Sequence, residues 1–227
     1  MQIQIDPRAL RAVAHFRALK DIRTYLTGVH VEAGHEHTVL VATNGTAIAA
    51  HINEVPNDVP VPVRFQIPAD IVALLVKGRS SASTLVFEKE ELATGNWRVA
   101  TQHGWLEFTP DHDRYPDWRR VIPEETNGAP CIMNPEYTMA IWKAAAEFGI
   151  KGIGQKGKPQ VSVGLNGTVG ASLASFDVIP GLVMAFQGMA DNNPTPYVAR
   201  RPSWITKTLA PTAESVVAKK DTAEDLV

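Results

Sequence analysis

An α+β fold, with antiparallel sheets and helices on one face, is predicted by two features of the chain. First, a short alternating strand, a proline and an amphipathic helix follow one another three times, around Pro7, Pro68 and Pro135. Second, each helix is followed by alternating apolar and polar runs, broken by turn signals such as Asn44-Gly45 and Asn166-Gly167. The repeated unit therefore reads β-α-β-β-β, and about three copies fill most of the 227 residues.

The elements follow in order. "IQIDPRALRAVAHF" opens with a strand and turns helical at Asp6-Pro7. Proline suits the first helical turn, where its missing N–H costs nothing, and Asp6 or Asn134 can cap the free amides in front of it. On a helical wheel Leu10, Val13 and Phe16 share one side, while Arg8, Arg11 and His15 share the other. "YLTGVHVEAGHEHTVLVATNGTAIAAHI" reads as three strands with a type I′ hairpin signal at Asn44-Gly45. "RFQIPADIVALLVKG" begins the second unit, completed by "TLVFEKE", "NWRVATQ" and "GWLEFT". "CIMNPEYTMAIWKAAAEFG" begins the third as strand, cap and helix, and "QVSVGLNGTVGASLASF" supplies its strands. The third helix is expected to bury Tyr137, Ile141, Ala144 and Phe148 and to expose Glu136, Lys143 and Glu147. The division that results is a full two-unit domain over 1–122, a half domain over 123–190, and an extended or disordered tail over 191–227.

Composition narrows the function. A net charge of −2 provides no global basic field, so contact with DNA needs a local patch. Residues 7–23 hold such a patch: Arg8, Arg11, Arg17, Lys20 and Arg23 against Asp21 alone. That pattern fits a solvated helix face or a phosphate-facing helix whose contacts are sequence-independent and salt-dependent. The single cysteine, Cys131, excludes an intramolecular disulfide framework and fits a reducing compartment; it reads as a small core residue. No signal peptide and no membrane-length apolar run is visible, so a soluble cytoplasmic protein with no membrane contact is expected. His30, His35 and His37 lie close enough in sequence to suggest a metal, but "GHEH" sits where a hairpin turn belongs. No nucleophile–base motif is recognisable. Neither an enzyme nor a cofactor or metal site is expected.

One stretch resists a simple role. "DRYPDWRRVIP" has the turn residues of a connector, yet it carries two aromatics, three arginines and two β-branched aliphatics.

Three motifs together resemble the bacterial sliding clamp family, the β subunit of DNA polymerase III. "RTYLTGVHVE" is similar to that family's R-x-Y-L-N-G-V pattern, and "VATNGTAIAA" to its A-T-D-G-H-R-L-A. "YPDWRRVIP" is similar to F-P-D-Y-R-R-V-L-P, its connector between the second and third domains. Residues 1–122 resemble the whole middle domain; "CIMNPEYTMAIWKAA" and "PGLVMAFQGM" resemble the final half of the last domain. The resemblance implies a DNA-clamp fold and a ring that encircles duplex DNA without reading its sequence. It also implies a hydrophobic pocket at a domain junction that takes polymerase and clamp-loader peptides.

Carried over residue by residue, the pocket would use Leu26, Thr43, Gly45, Ile48, Pro116, Arg120 and Val121, completed by Val183 and Met184. The DNA-facing set would be Arg8, Arg11, His15, Lys20, Lys77, Arg79, Lys151 and Lys156. Departures exist: His-Arg of the family motif is Thr46-Ala47, and M-P-M-R is "MAFQ". One and a half domains per chain imply a homo-oligomer, either a dimer that pairs two half domains or a tetramer that supplies six domains. The alternative is a clamp-like protein that keeps the pocket, competes for host replication proteins and does not encircle DNA.

Overall fold

A computed structural model describes residues 1–77, 84–89, 95–101, 103–110, 115–131, 133–150, 161–167, 170–188 and 201–206. The first unit runs β1 (Gln2–Ile5), α1 (Pro7–Ala14), α2 (Thr24–Thr27), β2 (Val29–Ala33), β3 (Thr38–Thr43) and β4 (Ala47–Asn53). The second runs β5 (Val63–Ile67), α3 (Ala69–Lys77), β6 (Leu85–Lys89), β7 (Trp97–Thr101) and β8 (Gly104–Phe108). The third contains α4 (Pro135–Glu147), β9 (Val161–Gly164), β10 (Ala171–Phe176) and β11 (Leu182–Gln187). No helix among the described residues is long and apolar enough to cross a membrane.

The expected caps form. Asp6 Oδ1 accepts from the Arg8 amide at 2.8 Å, and Asn134 Oδ1 accepts from the Glu136 amide at 2.9 Å. The third unit departs from the repeat. Cys131, Met133 and Asn134 are not in a strand, although "CIM" reads as one. The stretch instead crosses the end of its own sheet: Ala129 accepts from the Gly167 amide, and Cys131 Sγ lies 3.5 Å from Ser172 Oγ.

The first two units exchange strands. β1 of the first pairs with β6 of the second, and β5 of the second pairs with β2 of the first. A four-stranded sheet, β1-β6-β7-β8, and part of a larger sheet thus close on α1 and α3. Ile3, Phe87, Val99, Val31, Ile67, Leu10, Val13 and Val72 meet in one core. The third unit extends the larger sheet, because β11 pairs antiparallel with β4 from Leu182↔His51 to Phe186↔Ala47. The order becomes β5-β2-β3-β4-β11-β10-β9, all antiparallel.

This sheet is covered on both faces. Along β3, Leu40 and Ala42 point to the helix side, and Val39 and Val41 point outward, as period-two geometry requires. The outward residues join Ile48, Ala50, Leu173, Val183 and Ala185 in a second core. Its roof is Trp118 and Ile122 of the connector, with Trp204 and Ile205. The last two come from 201–206, within the stretch expected to be extended or disordered. There Ser203–Thr206 form a 3-10 turn, and Arg201 donates to Arg119 O and ion-pairs with Glu124. Two bulky apolar side chains are sufficient cause; burying each is worth roughly 1.5–3 kcal/mol.

Candidate functional site

A groove of about 550 Å³ opens at the seam where the third unit joins the first. Leu26 reaches it from α2, Thr43, Gly45 and Ile48 from the β3–β4 corner, and Pro116, Arg120 and Val121 from the connector. Seven of the nine pocket residues expected from sequence thus share one cavity. Val183 and Met184 do not line it. Consecutive residues on β11 alternate faces, so Val183 is sealed in the outer core and Met184 in the helix-side core. Ala185, Phe186 and Gln187, slightly further along the strand, take their place.

The corner that shapes the groove is not the two-residue hairpin that Asn44-Gly45 suggests. Residues 44–46 separate the strands, and Asn44 Oδ1 accepts from the amides of Thr46 and Ala47 at 3.0 and 2.8 Å. Gly45 has φ +94°, a conformation that disfavours any side chain.

The connector is two-faced. Trp118 is buried at 3% exposure, while Val121 is 54% exposed on the groove side. The inner face is fixed by Glu32, buried on β2. Its Oε1 accepts from Trp118 Nε1 at 3.2 Å, and Arg119 grips both carboxylate oxygens at 3.1 and 2.7 Å. Burial alone would raise the Glu32 pKa. Hydrogen bonds from His30, Arg119 and Trp118, with the Arg119 charge, outweigh it and hold the carboxyl well below the usual carboxylate range. Tyr115 stacks on His30 at 4.1 Å between centroids, with Tyr25 edge-on at 6.2 Å. Burial first, then the Glu32 and Tyr25 charges, push the Tyr115 hydroxyl up.

Sequence reasoning missed Arg23, Tyr25, Tyr115 and Asn166, which also line the groove. Tyr115 alone carried a signal, as an aromatic in an otherwise turn-like stretch. His35 Nδ1 meets Asn57 O at 3.0 Å in the β2–β3 turn, and His37 is buried there. Among the described residues, no group of three potential metal ligands forms.

The expected DNA-facing cations lie on the helix side in unequal states. Lys20 and Lys77 are exposed. Arg8 is exposed but ion-paired to Asp6 at 2.8 Å. Arg11 is not on an open face: α4 packs along its flank, and Arg11 Nε meets Glu147 Oε2 at 2.7 Å with only 15% of the side chain exposed. His15 meets the other Glu147 oxygen at 3.1 Å. A wheel of α1 cannot show this, because the neighbour arrives more than a hundred residues later. Glu147, expected on an exposed face, is that partner. Arg79, Lys151 and Lys156 lie outside the described residues.

No protein-family description matches this sequence, and no curated protein matches it. Solved structures do match. DNA polymerase III β subunit from Thermotoga maritima superposes with a TM-score of 0.63 at 12% identity, over 83% of this chain and 65% of that one. A sliding clamp from Pseudomonas aeruginosa bound to griselimycin gives 0.61 at 13%, over 83% and 65%. Caulobacter crescentus pol III beta gives 0.60 at 15%, over 83% and 65%. The chain spans about 65% of the length of these clamps. Such low identity speaks to architecture, and the architecture agrees along most of the chain: this protein has the fold of the DNA polymerase III β sliding clamps.

Proposed function

We propose that this protein is a sliding-clamp-type binding protein that seats a short peptide of a polymerase or clamp loader in the groove at the seam. The observation that carries the reading is that groove: seven residues matched from the clamp family's motifs, far apart in the chain, line one apolar cavity. Leu26, Ile48 and Val121 offer anchor sites for leucine and aromatic side chains, and Arg120 is placed for a backbone carbonyl or a carboxylate. The test uses two probes, a fluorescent peptide with leucine and aromatic anchors, and griselimycin. Saturable binding to the wild type, lost in Leu26→Asp with the fold retained by circular dichroism, is the expected result. Binding that survives Leu26→Asp places the site elsewhere.

In this reading copies assemble into a ring around duplex DNA, and four chains would supply six domains. Lys20 and Lys77, with Arg79, Lys151 and Lys156, would meet phosphate without reading sequence. A closed ring stays on nicked circular DNA at moderate salt and slides off once the circle is cut. Equal retention on both forms overturns encirclement.

One observation favours the second reading, a clamp-like competitor that does not encircle DNA. Arg8, Arg11 and His15 are already paired with carboxylates of their own chain, which weakens the positive field on the helix side. That protein would bind the peptide probe and show no preference for circular DNA.

A further inference from the structure

The third unit is half of an arrangement that the first two units complete for one another. In the first pair, each unit's leading strand covers the first strand after the other unit's helix: β5 covers β2, and β1 covers β6. The equivalent strand in the third unit is β9. It pairs with β10 on one side, and among the described residues nothing pairs with its other edge. The residues before α4 do not supply a cover, being held at the far end of their own sheet by Gly167 and Ser172.

The helix tells the same story. α1 buries five of its eight residues, because α3 and α4 flank it. α4 buries Ile141, Ala144 and Ala145 of its thirteen. Its Glu147 side faces α1 through Arg11. The opposite flank carries Thr138 and Trp142, four residues apart and both only partly buried, and Trp142 rests edge-on against Phe176 of β10. Beside them Val161 and Val163 of β9, with Ile150, are also only partly buried. An open strand edge beside an unpartnered helix flank pairs with another chain unless something guards it. β9 has no such guard within Val161–Gly164: no charge and no proline.

We propose that a second copy of this chain docks there by two-fold symmetry, with β9 antiparallel to β9 of its partner and the Thr138–Trp142 flanks of the two α4 helices packed together. The internal pairing of the first two units identifies the occupant, since it shows what this unit needs on that side: another unit of the same kind. A two-fold axis makes the contact self-complementary and closed, so it ends at two chains instead of growing into a filament. The inference rests on the clamp-type reading only for the expectation of an oligomer.

The test is sedimentation equilibrium of the full chain over a wide concentration range. Alongside it, hydrogen exchange of the 161–164 amides is followed at the dilute and concentrated ends. The wild type is expected at twice the chain mass or a higher even multiple, with β9 amides slower to exchange when concentrated. Thr138→Glu, on the helix surface, and Ser162→Pro, on the edge strand, are each expected to halve that mass while the groove still binds its peptide probe. A wild type that stays monomeric overturns the proposal. So does unchanged mass in a folded Thr138→Glu, or β9 exchange that ignores concentration; the latter needs no variant and so covers a Ser162→Pro that fails to fold. Peptide binding read in the same samples separates the two claims. An oligomer insensitive to these changes leaves the groove standing, and a groove without affinity leaves this contact standing.

Discussion

Glu32 ties the connector to the sheet through one carboxylate, and it does so out of water. Replacing it with glutamine leaves the Arg119 guanidinium without its counter-charge, which costs about 3 kcal/mol in urea unfolding. Two acid transitions follow. His51 is buried against Phe148, and burial, assisted by Arg8 and opposed by Asp6, lowers its pKa from 6.5 to about 4. A base with a depressed folded pKa gives its full stability above the unfolded value and loses it as pH falls. The protein therefore sheds up to about 3 kcal/mol between pH 6.5 and 4. Glu32 acts lower: its stabilisation is present above about pH 4.3 and drains as pH falls toward its depressed folded value. Unfolding curves taken from pH 7 to 3 should show the upper leg flattened in His51→Phe and the lower leg in Glu32→Gln. Neither role was legible in the sequence. His51 sits in "IAAHIN" like any strand residue, and Glu32 acquires its meaning only from a partner 87 positions away.

At the scale of elements, the connector resolves into two faces a single turn apart. Trp118, Arg119 and Ile122 face the sheet; Pro116, Arg120 and Val121 face the groove. Trp118→Ala should cost about 3–5 kcal/mol, because a cavity opens under the roof of the outer core. Arg120→Ala should change stability by less than about 0.5 kcal/mol and weaken the peptide probe roughly tenfold. Chemical denaturation and fluorescence polarisation on the two variants separate the faces. The sequence displayed the connector's odd composition, and family likeness assigned it a pocket, but nothing in its spacing divides inward from outward residues. β11 shows the complementary limit. Its position was legible from "PGLVMAFQGM", whereas Val183 and Met184 against Ala185 to Gln187 is a matter of register, which only pairing with β4 decides. The third unit's leading strand failed for a similar reason: an apolar tripeptide before a proline forms a strand only where an edge is offered to it.

For the whole molecule, the repeat read from three prolines carries over to the architecture, while the contacts between repeats do not. The Glu147 link to Arg11 and His15 joins the third unit to the first, and it also consumes two cations on the helix side. Glu147→Gln should therefore do two things at once. It should destabilise the fold by about 1 kcal/mol, as a half-buried pair is broken. If phosphate is met on that side, it should also strengthen retention on circular DNA at low salt, with the gain fading as salt rises. Retention that falls in a folded variant places the DNA elsewhere. The β4–β11 ladder has a mechanical side too. Its rungs from Leu182↔His51 to Phe186↔Ala47 are the weld between two bodies, and the groove lies along that weld, lined from both. A guest in the groove is therefore a strap across a joint. It is gripped more firmly while the joint is shut, and by linkage it makes the joint harder to pull apart to the same degree.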